Sequence, residues 1–131
     1  MRLLIDTQIF IWFITDSPRL SRQAHQLVRS GPNTILLSMA SLWEISIKTS
    51  IGKLQLNGPY EEVLNDVIAN EFVVLPITFA HTVQQHRLPF HHRDPFDRMI
   101  AAQAIAEGLD LVSSDVVFDA YFAGQAVQRW F

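Results

Sequence analysis

Short apolar runs alternate with helix-like segments along the chain, and this alternation constrains the fold more than any other feature. The runs that predict strands are Leu3–Asp6, Thr34–Leu37, Val73–Leu75, Leu109–Val112 and Val127–Trp130. Continuously apolar runs such as Ile35-Leu36-Leu37 are typical of parallel strands that helices cover on both faces. We therefore predict an α/β fold with a mainly parallel five-stranded sheet, formed as a single domain by residues 1–131.

Residues that begin or end helices lie between these runs. Ser21, Ser38, Thr78 and Asp94 are typical N-cap residues, whereas Gly31-Pro32, Gly52 and Gly108 are typical of helix ends. The predicted helices are Ser21 to Gly31, Met39 to Ile51, Pro59 to Asn70, Thr78 to His86 and Asp94 to Gly108.

Composition narrows the classes of protein to which the chain can belong. No apolar run approaches the roughly 20 residues of a membrane span. The start has one basic residue and a short apolar run, which does not resemble a signal peptide. The absence of cysteine excludes disulfides and thiolate metal sites and fits a reducing cytoplasm, where we expect the protein. Glycine-rich phosphate loops and serine-nucleophile motifs are also absent.

Four acidic residues occupy chain junctions at which carboxylates can converge. Asp6 closes the first apolar run, and Asp115 follows Leu111-Val112 and two serines. Glu44 and Asp97 lie in the first turns of predicted helices. Ligands of open α/β sheets bind beyond the carboxyl ends of the strands. We therefore expect these four carboxylates to meet at one edge of the sheet.

Each acid also has a purely structural interpretation. Asp6 could end a strand in an Asx-turn, and Asp115 could cap a helix that continues to Tyr121. Glu44 could pair with Lys48, four residues later in the same helix. We assign Asp94, before Pro95, to capping and the nearby Asp97 to the site. Unpaired buried carboxylates are costly, and a cation that prefers oxygen ligands, such as Mg²⁺ or Mn²⁺, would stabilise the cluster.

Basic residues near Asp97 are candidates for contact with phosphate groups. Either a basic rim beside the site or an ordinary polar loop is formed by His91, His92, Arg93, Arg87 and Arg98. The five histidines lack the spacing of a zinc site. Setting aside the four negative charges of the proposed cluster changes the net charge from −3 to +1, which is compatible with a polyanionic substrate.

The helix that contains Glu44 is apolar on two sides. We expect Ala40, Trp43, Ile47 and Ile51 to pack on the sheet, which leaves Leu42 and Ile45 facing outward. Phe10, Trp12 and Phe13 add apolar area and are expected in the core or in an interface rather than as a base-stacking surface. An exposed apolar face usually marks an interface, so we predict a symmetric homodimer.

Four segments in order carry a resemblance to a known family. They are Leu4-Ile5-Asp6-Thr7, Ser38-Met39-Ala40-Ser41-Leu42-Trp43-Glu44-Ile45 with Lys48 and Gly52-Lys53-Leu54, His92-Arg93-Asp94-Pro95-Phe96-Asp97-Arg98 with Ala101-Ala102-Gln103, and Leu111-Val112-Ser113-Ser114-Asp115. Together they resemble the PIN-domain family, specifically the VapC-like toxins of bacterial toxin–antitoxin pairs, over essentially the whole chain. Gln8 and Ser113 depart from the His and Thr that relatives often have, and Ser113 keeps the hydroxyl.

The resemblance implies a three-layer α/β/α sandwich and a metal-dependent endoribonuclease. It implies a catalytic and metal-binding quartet of Asp6, Glu44, Asp97 and Asp115 with Mg²⁺, or alternatively Mn²⁺. It also implies an RNA substrate and a cognate antitoxin.

We add two hypotheses for the remaining site residues and two alternative functions. Thr7 and Ser113 support the ligands, and Arg93 and Arg98 contact the substrate. One alternative is a phosphoryl-accepting signalling domain, which would need paired acids near the first strand and a late lysine. The other is a PIN-like module that only binds RNA or protein.

Overall fold

The five predicted strands are present and lie within two residues of their predicted bounds. The structure is a computed structural model that describes residues 1–29 and 31–131. The strands are β1 (Arg2–Ile5), β2 (Thr34–Ser38), β3 (Val73–Leu75), β4 (Asp110–Val112) and β5 (Arg129–Trp130). They form one all-parallel sheet in the order β3-β2-β1-β4-β5.

The central strand, β1, is buried on both faces. Leu4 is in register with Leu36 of β2 on one side and with Leu111 of β4 on the other. Leu3, Leu4 and Ile5 are all inaccessible to solvent, as expected when helices cover both faces of a parallel sheet.

Seven α-helices connect or follow the strands in the described part of the chain. They are α1 (Thr7–Ile14), α2 (Arg22–Arg29), α3 (Met39–Ser50), α4 (Val63–Ala69), α5 (Phe79–Arg87), α6 (Pro95–Glu107) and α7 (Val117–Phe122), and a 3₁₀ turn (Tyr60–Glu62) precedes α4. None of these helices has the length and apolar character that crossing a membrane requires. The predicted caps Ser38, Thr78 and Asp94 each accept a backbone N–H at a helix start.

Two separate apolar cores lie on opposite faces of the sheet. Leu3 and Ile5 point into one core, together with Phe10 of α1 and Val67 of α4. Leu4 points into the other core, which the residues of α6 and α7 fill. Alternate residues of a strand face opposite sides, so this division confirms the predicted three-layer α/β/α sandwich.

The predicted orientation of α3 is correct for Ala40, which is buried, and wrong for four other residues. Ile45 is fully buried and Leu42 packs against the core, whereas Trp43 and Ile51 are 60% and 59% exposed. The buried side of α3 also contains Ser41, whose hydroxyl accepts a hydrogen bond from Thr7 Oγ1 at 2.9 Å. Both sides of this helix are apolar, and the side that faces inward is the one that also has the polar residues Ser41 and Glu44.

Candidate active site

The four predicted acids line one cleft at the carboxyl ends of the strands. Asp6 directly follows β1, and Asp115 lies between β4 and α7. Asp97 is in the first turn of α6, and Glu44 is in the second turn of α3. All four border a cavity of about 400 Å³. The fold thus brings together carboxylates from four separate segments.

Asp6 is held by hydrogen bonds to both of its carboxylate oxygens. Its Oδ1 accepts the backbone N–H of Ile9 at 2.8 Å and so caps α1. Its Oδ2 accepts a hydrogen bond from the hydroxyl of Ser113. Asp6 therefore has a capping role and a place in the cleft at the same time, and neither excludes the other.

Glu44 is a buried carboxylate with one satisfied oxygen. Its Oε2 accepts a hydrogen bond from Lys48 Nζ at 2.5 Å, in the helical pairing expected from the sequence. Its Oε1 is the one buried side-chain oxygen or nitrogen without a hydrogen-bond partner among the described residues. A buried carboxylate oxygen without a partner is costly, so a cation or a water molecule bound at this atom would stabilise it.

Asp94 and Asp97 have different roles, although they are only three residues apart. Asp94 Oδ1 accepts the backbone N–H groups of Phe96 and Asp97 at 2.8 and 3.1 Å, so it caps α6 as predicted. The side chain of Asp97 lies in the cleft instead. Asp94 also borders the cleft, and its charge adds to the negative potential there.

Ser113 links two of the acids, since its hydroxyl also accepts the backbone N–H of Asp115 at 3.0 Å. The Asp115 carboxylate accepts the N–H of Val117 at 3.0 Å, near the start of α7. Asp115 is itself exposed, which leaves it open to the cleft. Ser113 thus contacts both Asp6 and the backbone of Asp115, and its role in supporting metal ligands stays a prediction.

Burial and nearby negative charges disfavour ionisation of two of the acids, Asp6 and Asp97. Burial raises the pKa of Asp97 to about 7, and the charges of Asp94 and the other cleft acids add to this effect. Burial also raises the pKa of Asp6 to about 6, although the hydrogen bond from Ser113 acts in the opposite direction. Acids with such raised pKa values are frequent at functional sites.

Two lysines that were not predicted as site residues also border the cleft. Lys48 and Lys53 contribute positive charge at the end of α3 and just after it. The hydrogen bond to Glu44 raises the pKa of Lys48 and keeps it charged. The Gly-Lys sequence at the end of a helix could have suggested Lys53, but an exposed lysine at that position carries no distinctive signal.

His92 also reaches the cluster. Its Nε2 lies 3.5 Å from Asp97 Oδ2, and the ligand atoms of His92, Asp97 and Asp115 lie within 4.8 Å of one another. Its Nδ1 accepts the backbone N–H of Asp94 at 3.1 Å, so we assign the ring proton to Nε2. A neutral imidazole that binds a metal through Nε2 carries its proton on Nδ1. The Nε2–H group of His92 therefore points its hydrogen toward Asp97, and this tautomer is not suited to bind a cation through Nε2.

The two arginines predicted to contact substrate lie in different environments. Arg93 is exposed beside His92 and available to a ligand. Arg98 is only 3% exposed, and its guanidinium donates to the backbone carbonyls of Gln85, Leu88 and Pro89. The structure thus places Arg98 in the scaffold and not in the cleft, because these carbonyls take up its donors.

The cleft acids fit a hard divalent cation. They offer only oxygen ligands, which Mg²⁺ and Mn²⁺ prefer. Lys48 pairs with only one oxygen of Glu44, whose other oxygen has no partner, and burial raises the pKa values of Asp6 and Asp97. A bound cation would give this Glu44 oxygen a partner and would favour the ionised forms of Asp6 and Asp97.

Solved structures with a similar fold span all or nearly all of the chain. VapBC2 from Rickettsia felis, bound to a DNA fragment from its promoter, is 20% identical with a TM-score of 0.71, and 100% of each chain is covered. DNA-bound VapBC from Salmonella typhimurium is 20% identical with a TM-score of 0.66, covering 100% of this chain and 99% of that one. A toxin–antitoxin complex from Klebsiella pneumoniae is 20% identical with a TM-score of 0.63, covering 95% and 94%.

Sequence comparison gives the family. No curated protein sequence matches the chain significantly. The family model of the PIN domain, however, matches residues 3–122. Since this match covers nearly all of the chain, the protein belongs to the PIN domain family.

Proposed function

We propose that this protein is a Mg²⁺-dependent endoribonuclease, with Mn²⁺ as an alternative cofactor, and the toxin of a toxin–antitoxin pair. The observation that carries the proposal is the convergence of Asp6, Glu44, Asp97 and Asp115 on one cleft, with a buried Glu44 oxygen left without a partner. Membership of the PIN domain family supports the nuclease assignment.

The four cleft acids would hold the cation. When bound, a divalent cation supplies positive charge for the phosphoryl oxygens and lowers the pKa of a water molecule that can attack phosphorus. Ser113 and the N–H of Ile9 fix both oxygens of Asp6. Lys48 holds one oxygen of Glu44 and leaves the other free for a ligand.

The remaining side chains of the cleft would favour a phosphate backbone. Lys48 and Lys53 border the cleft and supply positive charge there, and the exposed Arg93 supplies it near His92. Contacts from lysine and arginine to phosphate position a nucleic acid without reading its sequence. Without a cation, the clustered acids would repel the same backbone.

Partner proteins are proposed from the fold and from an exposed apolar face. One similar structure is a toxin–antitoxin complex, which supports a cognate antitoxin and, with it, a cytoplasmic role for this chain. Met39, Trp43 and Ile51 of the α3 region are exposed, and Trp43 packs edge-on against Phe96 of α6 at 5.5 Å. We infer that this face, instead of the predicted Leu42 and Ile45, forms a symmetric homodimer.

RNA cleavage by the purified protein tests the proposal. We expect cleavage of single-stranded RNA with Mg²⁺ and none with excess EDTA. Asp6→Asn and Asp97→Asn should each lower the rate by about two orders of magnitude or more, because each removes a ligand charge. Glu61→Gln is the matched control, since Glu61 is an exposed acid outside the cleft.

Two results would contradict the assignment. Full cleavage in EDTA would exclude metal dependence. Full cleavage by folded Asp6→Asn and Asp97→Asn proteins would show that the cleft is not the active site. Single-stranded DNA of matched sequence is a second substrate, and equal cleavage of it would broaden the activity from ribonuclease to nuclease.

A further inference from the structure

A buried arginine fixes the beginning of the loop formed by residues 88–92. Arg98 Nη1 donates to the carbonyl of Pro89 at 2.9 Å, and Nη2 donates to the carbonyl of Leu88 at 3.2 Å. Hydrogen bonds from a charged donor are stronger than neutral ones. This side of the loop is therefore tied firmly to α6.

A tyrosine fixes the other end of the same loop. The hydroxyl of Tyr121 accepts the N–H of His92 at 2.9 Å and donates to the carbonyl of His92 at 3.2 Å. The ring of His91 packs edge-on against the Tyr121 ring, with 5.1 Å between centroids. Both ends of the 88–92 loop are thus held by buried side chains.

Phe90 lies between these two fixed ends and is 82% exposed. The guanidinium carbon of Arg98 lies 4.1 Å from the centroid of the Phe90 ring. A buried cation therefore supports the Phe90 ring while most of the Phe90 side chain remains in water. Exposure alone is not informative, because Phe79 is 83% exposed as well. Phe90 differs from Phe79 in resting on a fixed cation.

The 88–92 loop leads directly to the acidic cleft. His92, two residues after Phe90, lies 3.5 Å from Asp97. Two residues span at most about 7 Å of chain, so Phe90 is close enough to contact a nucleotide next to one in the cleft. Phe90, His91, His92 and Arg93 line a shared surface pocket. No carboxylate forms an ion pair with Arg93 in the described part of the chain.

We propose that Phe90 is a stacking surface for one base of a single-stranded RNA, with Arg93 contacting an adjacent phosphate. The inference rests on the proposed ribonuclease function and assigns part of the substrate path. A rigid aromatic ring next to a positive charge is the combination that single-stranded nucleic acids recognise, because bases stack while phosphates pair with cations. The loop is fixed before binding, so little ordering entropy is lost when a base stacks.

Binding of labelled oligoadenylate of 15 nucleotides tests the proposal, with inorganic polyphosphate as a probe that has no bases. Affinities are measured by fluorescence anisotropy with Mg²⁺ in an Asp6→Asn background, in which cleavage should be too slow to affect the measurement. Phe90→Leu should weaken oligoadenylate binding by about fivefold or more. It should leave polyphosphate binding unchanged. Phe90→Trp should retain the affinity for oligoadenylate, and Phe79→Leu is the matched control.

Arg93→Gln separates the base contact from the phosphate contact. This variant should weaken binding of both probes and reduce the salt dependence of oligoadenylate affinity. Thermal unfolding of each variant checks that folding is retained.

Equal binding of oligoadenylate by the Phe90→Leu and Phe79→Leu proteins would overturn the proposal. The proposal would also be overturned if Phe90→Leu weakened polyphosphate binding as much as oligoadenylate binding. That result would mean that Phe90 affects the phosphate contact of Arg93 and does not stack on a base. A changed oligomeric state with unchanged RNA affinity would instead make Phe90 a protein contact. Failure of the unsubstituted protein to cleave any RNA would refute the proposed function. If the unsubstituted protein cleaves RNA but Phe90→Leu binds oligoadenylate as well as Phe79→Leu does, only the stacking surface is refuted.

Discussion

Replacing Asp97 by Asn should stabilise the metal-free protein at neutral and alkaline pH. Asp97 has a pKa near 4 in an unfolded chain, whereas burial and neighbouring acids raise the pKa to about 7 in the folded protein. The contribution of this carboxyl group to stability is therefore fully present below about pH 4. It is lost as the pH rises through about 7. Asparagine does not ionise and avoids this loss.

The size of the effect follows from the pKa shift. A rise from 3.8 to about 7 corresponds to about 4 kcal/mol at roughly 1.4 kcal/mol per pKa unit. The Asp97 side chain is 20% exposed, and solvent screens its neighbours, so we reduce this to about 2 kcal/mol. For a chain of this size, that gain corresponds to a rise of about 8 °C in Tm.

Urea unfolding in EDTA between pH 4.5 and pH 8 measures the effect. The advantage of Asp97→Asn over the unsubstituted protein should grow from below about 1 kcal/mol to about 2 kcal/mol across this range. Adding Mg²⁺ should stabilise the unsubstituted protein more than the variant and so close the gap. Glu61→Gln should stay within about 0.5 kcal/mol throughout.

A variant equal to or less stable than the unsubstituted protein at pH 8 would refute this reasoning. Equal stabilisation of both proteins by Mg²⁺ would do so too. The first result would mean that burial and neighbouring charges do not disfavour ionised Asp97, and the second that Asp97 does not contribute to cation binding.

Three further substitutions test individual parts of the structure. Asp94→Ala should lower the free energy of unfolding by about 1 kcal/mol through loss of the α6 cap, and RNA cleavage abolished at unchanged stability would show that Asp94 is a ligand. Arg98→Lys should cost about 2–3 kcal/mol in urea unfolding, since lysine cannot reproduce the guanidinium hydrogen bonds; unchanged stability would contradict its scaffold role. Trp43→Glu should convert dimers to monomers in light scattering, whereas Leu64→Glu, at another exposed apolar position, should not; a monomeric unsubstituted protein would reject the dimer.

Much of the fold follows from local sequence. Apolar runs such as Ile35-Leu36-Leu37 predict buried strands, and Ser38 and Asp94 cap helices through contacts within three residues. The convergence of Asp6 and Asp115 also follows, because residues at the carboxyl ends of neighbouring parallel strands lie at one edge of the sheet.

Features that depend on tertiary contacts were not predictable in the same way. The inward side of α3 is set by Thr7 and the cleft, and the apolar pattern of that helix allowed the opposite choice. Arg98 has the sequence position of a substrate contact, but the carbonyls that bind it belong to the end of α5 and the following loop. The helix α1 had no predicted boundary, because its cap is Asp6, which the sequence offered equally as the end of a strand.

Locating the cation is the most direct test of the central claim that the four acids form a metal centre. Crystals soaked in Mn²⁺ and measured near the manganese absorption edge give an anomalous difference map that shows where the ion binds. We predict a peak in contact with the carboxylates of Asp6 and Asp97, and no such peak in crystals of Asp97→Asn prepared in the same way. A cleft without a peak at saturating Mn²⁺, or a peak of equal height in the variant, would contradict the account.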